Sequence, residues 1–337
     1  MQQKCRNAKR KSRNVARFAL HVTRFAMNIF VLYGQTATGK TAKALELCDK
    51  ENGEIINFDS RQIYKKLTIV TGKDLPKNAQ FVKRVTQDVS NEYSIEYYEF
   101  DASRYTLPVS RLWLYDIIDP KYTFSSAEYV KYAEIVFKDI LSRGKTPILV
   151  GGTGYYLRHL LFGIPEVKVK EDWILRKKLE TKTVEELQLL LKKHNQAMFE
   201  EMNNSDRNNP HRLIRRIEIA QNGIPFPAER KEETLNTRLG TPITYLPFFH
   251  SSSDVTREKI TIRVKQRIQN GAIEEVKQLL KEGYTKNDPG LNAIGYQQLI
   301  AYLNNEITLD EAKNQWITKE VQYAKRQKTY FKKYFPS

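Results

Sequence analysis

The sequence predicts an α/β protein, in which helices cover a parallel sheet and a second, helical subdomain is inserted late in the chain. Three features of the 337 residues indicate this fold. Strand and helix signals alternate through the first half, which is typical of parallel sheets. A glycine-rich pattern stands at the first strand-to-helix junction. Residues 165–240 are charge-rich and helical in period, with no strong strand signal.

The apolar run Ile29–Tyr33 predicts a buried strand, and a phosphate-binding loop follows it directly. This loop has the form G-x-x-x-x-G-K-[ST] and consists of Gly34, Gln35, Thr36, Ala37, Thr38, Gly39, Lys40 and Thr41. Glycine lets the backbone turn its N–H groups toward a phosphate, and the helix that begins near Lys40 adds the positive end of its dipole. Lys40 supplies a cation, and the Thr41 hydroxyl can bind Mg²⁺. The pattern therefore predicts a P-loop NTPase-like core that binds a phosphorylated ligand with Mg²⁺ as cofactor.

Further strands complete the predicted sheet. Glu54–Phe58, Arg111–Ile118 and Pro147–Val150 are short and apolar enough to be core strands. Phe81–Thr86 and Glu92–Phe100 are predicted to pair as a hairpin.

The end of the chain predicts one more strand and then helices. Ile243–Phe249 is the strand, and Arg257–Lys281 is predicted to be one long helix. Its apolar stripe consists of Ile260, Val264, Ile268, Ile273, Val276 and Leu280. Two further helices are expected at about 291–303 and 309–334.

Polar and glycine residues follow the predicted strands where a ligand would bind. Asp59 comes after the second strand, and Gly151–Gly154 come after the strand Pro147–Val150. Ligands of parallel sheets lie beyond the carboxyl ends of the strands. We therefore expect the phosphate loop, Asp59 and Gly151–Gly154 to converge.

Composition excludes several classes of protein. The net charge of +17 indicates a polyanionic partner, and the part of the chain after residue 26 keeps +9 of it. No apolar run is long enough to span a membrane. The two cysteines and five histidines show no metal-ligand spacing, so we expect neither zinc nor disulfides and a reducing, cytoplasmic location.

Residues 1–27 form a basic extension without a single acidic residue. The segment is similar to a transit peptide, which would place the protein in mitochondria, and also to an RNA-binding arm. It could also reflect an upstream start, since Met27 lies just before the first strand. The interpretation we favour is a disordered and dispensable extension.

Six sequence blocks, from Phe30 to about Lys333, together resemble the tRNA dimethylallyltransferases, also called tRNA isopentenyltransferases. The blocks are Gly34–Thr41, Asp59-Ser60-x-Gln62-x-Tyr64 with Ile69-x-Thr71-Gly72-Lys73, Gly151-Gly152-Thr153-Gly154-x-Tyr156, Asn208-x-Pro210-x-Arg212-x-x-Arg215, Ala293-Ile294-Gly295-Tyr296 and Ala324-Lys325-Arg326-Gln327. Their order matches that of the family. The chain departs from the family where Gln35 replaces a proline, where Tyr330 and Lys332 replace tryptophan and arginine, and in a longer 78–110 stretch.

The resemblance implies transfer of a dimethylallyl group from dimethylallyl diphosphate to N6 of the adenosine immediately 3′ of the anticodon, in tRNAs reading codons that begin with U. It implies that Asp59 takes the proton from the adenine amine. It also implies that Thr36 contacts the bridging oxygen and that Arg267 reaches the diphosphate. The phosphate loop would then hold a leaving group and not ATP.

The resemblance also implies a tRNA surface, which includes the inserted residues 165–240. The family positions that contact tRNA are Asp59, Ser60, Arg61, Gln62, Thr153, Arg176, His211, Arg212, Leu213, Ile214, Arg215, Ala293, Ile294, Gly295, Tyr296, Gln297, Gln298, Lys325, Arg326, Gln327, Lys328, Thr329, Tyr330, Phe331 and Lys332. The remaining domain expectation is a core formed by residues 28–164 and 241–337.

Two alternatives stay open at this point. A small-molecule P-loop kinase would bind ATP at the same loop. A nucleic-acid-binding module could keep the loop without catalysis. The sequence requires no dimer, so we expect a monomer without membrane attachment.

Overall fold

The computed structural model describes residues 28–88, 91–100, 110–164, 169, 172–223, 235 and 240–336. The chain divides into two compact units. The first, called the sheet unit, comprises Met1–Leu160 and Asn236–Ser337, and the second, called the helical unit, comprises Leu161–Leu235. The predicted extension at residues 1–27 lies outside the described residues.

A seven-stranded sheet forms the centre of the sheet unit, as far as the chain is described. Its strands are β1 (Ile29–Gly34), β2 (Gly53–Asn57), β3 (Gln80–Asp88), β4 (Asn91–Phe100), β5 (Ser110–Trp113), β6 (Thr146–Gly151) and β7 (Ile243–Phe248). Their spatial order is β3-β4-β5-β2-β6-β1-β7. β5, β2, β6, β1 and β7 run parallel, so the predicted parallel sheet is confirmed.

The predicted hairpin is also present. β3 and β4 pair antiparallel, with Phe81 opposite Tyr98, and β4 pairs antiparallel with β5. The strand predicted at Arg111–Ile118 is too long, because β5 ends at Trp113. Leu114 and Asp116 have φ of 64° and 53°, and a left-handed backbone cannot continue a strand.

The helices are α1 (Lys40–Lys50), α2 (Ser126–Ser142), α3 (Gly154–Phe162), α4 (Trp173–Leu179), α5 (Val184–His194), α6 (Gln196–Glu200), α7 (Asn204–Arg207), α8 (Pro210–Gln221), α9 (Ser253–Gln269), α10 (Ala272–Lys281), α11 (Tyr296–Leu303) and α12 (Leu309–Tyr334). The single long helix predicted at Arg257–Lys281 is wrong. The helix is interrupted between α9 and α10 at Gly271, which has φ of 99° and is the N-cap residue of α10. The break shifts the apolar stripe, so that Leu279 is buried in place of Leu280.

α11 begins at Tyr296, five residues later than predicted, because a turn occupies the preceding residues. Gly295 has φ of 97°, and its N–H donates to the Gln298 side chain at 2.8 Å. α12 matches the predicted helix at about 309–334.

The helical unit has an apolar core of its own. Its buried residues are Val169, Leu179, Leu187, Leu191, Met198, Phe199, Met202, Leu213, Ile214, Ile217 and Ile219. Side chains of Thr183, Asn195, Asn203 and Asn209 cap the helices around this core by accepting N–H groups of the first turn. These caps satisfy backbone donors that the short helices would otherwise leave exposed.

Candidate active site

Residues that follow β1, β2 and β6 line a cavity of about 520 Å³ in the sheet unit. The cavity lining includes Thr36, Ala37, Thr38, Gly39, Lys40, Thr41, Asp59, Gln62, Thr71, Gly72, Asp74, Tyr115, Gly151, Gly152, Lys259, Arg263, Gln266 and Gln327. The structure therefore brings the phosphate loop, Asp59 and part of Gly151–Gly154 together, as the strand ends predict.

The phosphate loop has the backbone that its glycines permit. Gly34 has φ of 138°, and a β-carbon there would collide with the carbonyl oxygen of Phe248. Gly39 has φ of 82° and precedes the first residue of α1. Gln35 is buried, with its Nε2 donating to the Ala324 carbonyl at 3.2 Å and its Oε1 accepting from the His250 N–H at 2.9 Å. Gln35, at a position where the resemblance implies proline, thus ties the loop to α12.

Lys40 is the cation at the centre of the loop. Its Nζ donates to the Gln35 carbonyl at 2.5 Å. Burial lowers the pKa of Lys40 to about 7, and Arg263 adds to the effect while Asp59 opposes it. An anion entering the cavity would favour the charged ammonium and raise this pKa.

Thr36 is fixed by three neighbours. Its N–H donates to Gln327 Oε1 at 2.8 Å, and its carbonyl accepts from His250 Nε2 at 3.0 Å. The Thr36 hydroxyl accepts from Nη2 of Arg263. Burial lowers the pKa of His250, and neighbouring cations, Lys40 among them, add to this effect, which favours the neutral ring. Thr36 is therefore held in one position before any ligand binds.

Two arginines of α9 face different surroundings. Arg263 lines the cavity, and its buried Nε has no hydrogen-bond partner among the described residues. Arg267 does not line the cavity; it is buried against Gly72, where a β-carbon would collide with its Nη2. The family resemblance implies that Arg267 reaches the diphosphate, and the sequence motifs did not single out Arg263. The structure places the Arg263 guanidinium at Thr36. Arg263 precedes Arg267 by one helical turn, so both side chains lie on the same face of α9.

Asp59 projects into the cavity from the loop after β2. Its Oδ1 accepts from the Arg61 N–H at 2.9 Å, which fixes the carboxylate in a turn. Its Oδ2 lies on the side of Gly152, where an added β-carbon would be 3.5 Å away. Asp74 is a second carboxylate of the same cavity, which the sequence motifs did not single out.

Two family models match the chain: IPP transferase over residues 109–334 and isopentenyl transferase over residues 27–101. A tRNA dimethylallyltransferase of Endomicrobium trichonymphae is 34% identical over 313 residues, covering 90% of this chain and 92% of the relative. The chain belongs to the tRNA dimethylallyltransferase family. A second relative, tRNA dimethylallyltransferase 2 of Bacteroides fragilis strain YCH46, is also 34% identical. The match covers 90% of this chain and 88% of the relative.

Solved structures of tRNA dimethylallyltransferases share this P-loop NTPase-like fold. The tRNA delta(2)-isopentenylpyrophosphate transferase of Staphylococcus epidermidis has a TM-score of 0.58 and 26% identity, covering 92% of this chain and 91% of that one. A eukaryotic dimethylallyltransferase acting on tRNA has a TM-score of 0.68 at 24% identity, and the match covers 90% of this chain and 70% of that one. The second likeness concerns the fold alone.

The tRNA positions implied by the tRNA dimethylallyltransferase family separate into buried and accessible side chains. In the sheet unit Ala293, Gly295, Tyr296, Gln298, Gln327 and Phe331 are buried, whereas Lys325, Arg326, Thr329 and Lys332 are exposed. The side-chain amide of Gln327 points inward, and its Nε2 donates to the Gly152 carbonyl at 2.9 Å. Ser60 and Thr153 lie together, with the Ser60 N–H donating to Thr153 Oγ1 at 3.0 Å.

The helical unit shows the same separation. Leu213 and Ile214 belong to its apolar core, while His211 and Arg212 are exposed. Arg176 and Arg215 both pair with the buried Glu218. Alternating burial along α8 explains the result, because five consecutive helical residues cannot all face one surface.

No helix in the described parts of the chain is long and apolar enough to cross a membrane.

Proposed function

We propose that this chain transfers a dimethylallyl group from dimethylallyl diphosphate to N6 of adenosine 37, the base 3′ of the anticodon, in tRNAs reading codons that begin with U. The product is N6-isopentenyladenosine. One observation carries the assignment: in a chain of this family, a single cavity holds the phosphate loop, the Asp59 carboxylate and Arg263, whose Nε–H has no partner among the described residues. The family does not favour the kinase alternative.

The diphosphate binds in the phosphate loop. Backbone N–H groups of the loop and the start of α1 face the anion, and Lys40 lies among them. Arg263 adds its Nε–H, which no described residue accepts from and which a diphosphate oxygen would satisfy. Thr36 presents its hydroxyl beside the Arg263 guanidinium. We assign to Arg263 the diphosphate contact that the family resemblance implied for Arg267.

Mg²⁺ fits this cavity as a companion of the diphosphate. The described residues contain no group of three or more acidic, histidine or cysteine side chains that could hold a metal alone. Mg²⁺ commonly uses few protein ligands and completes its shell with phosphate oxygens and water. The Thr41 hydroxyl, which lines the cavity, would hold the ion, and its charge would stabilise the departing diphosphate.

Asp59 acts as the general base. The N6 amine attacks C1 of the dimethylallyl group, and the new N–C bond forms as the C–O bond to diphosphate breaks. The proton on N6 passes to the Asp59 carboxylate, and diphosphate leaves with the bonding electron pair. The adenine amine is a poor nucleophile because its lone pair is delocalised, so removal of its proton contributes about 10²–10⁴-fold.

The target adenine has to leave the stack of the anticodon loop to reach Asp59. Ser60, Arg61 and Gln62 directly follow Asp59 in the chain, and Thr153 Oγ1 accepts from the Ser60 N–H, so these four residues would contact the extruded base. The exposed cations of α12, Lys325, Arg326 and Lys332, contact phosphates of the tRNA.

Labelled dimethylallyl diphosphate and unmodified tRNA test the proposal. Wild-type protein should place label in tRNA, and the adenosine recovered should have gained the mass of one dimethylallyl group in place of a proton. Asp59→Ala should lower the turnover number by about 10²–10⁴-fold while tRNA binding persists.

Asp74→Asn is the matched comparison, because it alters the other carboxylate of the same cavity. If Asp74→Asn abolished turnover while Asp59→Ala left the rate unchanged, Asp74 would be the general base in place of Asp59. ATP-dependent phosphorylation of a metabolite without labelled RNA would support the kinase instead. RNA binding without any turnover would support a binding module.

A further inference from the structure

One buried carboxylate is shared by two guanidinium groups of α9, and one of these lines the cavity. Glu320 of α12 is 5% exposed, and its Oε1 accepts from Nη2 of Arg263. The same oxygen lies 3.6 Å from Nη1 of Arg267. Its other oxygen accepts from the Trp316 Nε1–H at 2.9 Å. Burial opposes ionisation of Glu320, but the two arginines and this N–H hold its pKa below the usual range.

Nη2 of Arg263 also donates to the Thr36 hydroxyl. The guanidinium is therefore held between Glu320 on one side and the phosphate loop on the other. We infer that Glu320 is a positioning residue, which holds Arg263 at Thr36 in the orientation that receives the diphosphate. Glu320 itself does not line the cavity.

Arg267 explains why a carboxylate is needed there. Burial and the neighbouring charge of Arg263 together lower the pKa of Arg267 to about 10, while Glu320 opposes this shift. Two guanidinium groups in one buried cluster repel each other unless an anion lies between them. Without the charge of Glu320, that repulsion would push Arg263 away from Thr36.

The inference rests on the proposed function, but it can be tested by the binding of inorganic diphosphate alone, measured by calorimetry with Mg²⁺. Glu320→Gln keeps the shape and one acceptor for Trp316 but removes the charge. We expect the Kd for diphosphate to rise about tenfold, within the range known for residues of one charged network. The KM for dimethylallyl diphosphate should rise in parallel, while the KM for tRNA stays unchanged.

The decisive variant is the double replacement Glu320→Gln with Arg267→Met, which removes the carboxylate and the repulsion together. The double variant should bring the Kd for diphosphate back to within about threefold of wild type. Arg267→Met alone should raise this Kd by less than about threefold. Glu258→Gln, which removes the same charge from the exposed face of α9, is the control and should leave the Kd unchanged.

An unchanged Kd in Glu320→Gln, or a double variant no better than Glu320→Gln, would overturn the inference. If Glu320→Gln alone fails to fold, the double variant decides, because only the proposed role predicts near-normal diphosphate binding without Glu320. Absence of tRNA prenylation by the wild type would defeat the proposed function, yet the order of these diphosphate affinities would still test Glu320.

Discussion

Both units of the molecule contain a buried glutamate that holds two arginines, yet the arginines differ in what they offer to a ligand. In the sheet unit Glu320 holds Arg263 and Arg267. In the helical unit Glu218 holds Arg176 and Arg215. The arrangement is the same, but only Arg263 keeps a buried N–H without a partner among the described residues and lines a cavity.

The arginines of the helical unit direct their donors inward. Arg176 donates to Glu218 through Nε at 3.1 Å and Nη2 at 2.8 Å. Arg215 donates to Glu218 and, through Nη2, to the Val169 carbonyl at 2.9 Å. We infer that these two arginines chiefly stabilise the unit, whereas Arg212 is exposed and pairs with Asp206. A motif identifies an arginine, but its hydrogen bonds decide between folding and binding.

Removal of the Glu218 charge should give the largest effect. Glu218→Gln leaves two partly buried guanidinium groups without their anion, and breaking such a pair costs about 3–5 kcal/mol. Hydrogen exchange of the α8 amides measures this loss. The Kd for diphosphate should stay unchanged, because the cavity lies within the sheet unit.

Glu201→Gln is the matched control, since Glu201 is 61% exposed and pairs with Arg216 in the same unit. An exposed pair contributes only about 0–1 kcal/mol. Equal losses of protection in the two variants would show that Glu218 has no special role, and the comparison of the two clusters would fail.

The next effect is the pH dependence of diphosphate binding. Burial holds the pKa of Lys40 near 7 in the empty cavity, and a bound anion raises it, so binding takes up a proton. The Kd for inorganic diphosphate should therefore rise roughly tenfold per pH unit between about pH 7.5 and 9.

Lys40→Arg keeps its charge throughout this range and should flatten the profile. Titration calorimetry in buffers of different ionisation enthalpy would count the protons directly. A flat profile for the wild type would mean that Lys40 stays charged before the anion binds, and the proton-uptake account of binding would be wrong.

The smallest effect concerns the exposed cations. Lys325→Gln and Lys332→Gln should each weaken tRNA binding and reduce the slope of log Kd against log salt by about 1. Lys313→Gln, near the start of the same helix and paired with Asp310, should leave the slope unchanged. If Arg176→Gln reduced the slope as much as Lys325→Gln, the inward assignment of Arg176 would be wrong.

Much of the fold was predictable because it depends on local signals. The apolar runs predicted β1, β2 and β6, and the alternation of strands and helices predicted their parallel pairing. Errors fell where a single left-handed residue interrupts a regular pattern. Leu114 ends β5 early, and Gly271 divides the predicted long helix. Periodicity alone does not reveal such conformations, since they are selected by the packing on either side.

The sequence by itself determined the phosphate loop, the place of Asp59 at a strand end and the family of the chain. These depend on residue order and on backbone chemistry that acts over a few residues. Only the tertiary structure decided that Arg263 meets Thr36 while Arg267 lies under Gly72, and that Gln327 and Phe331 face inward. The physical reason is that a side chain's partners come from distant segments, and packing, which no local spacing records, chooses the face that each helix buries.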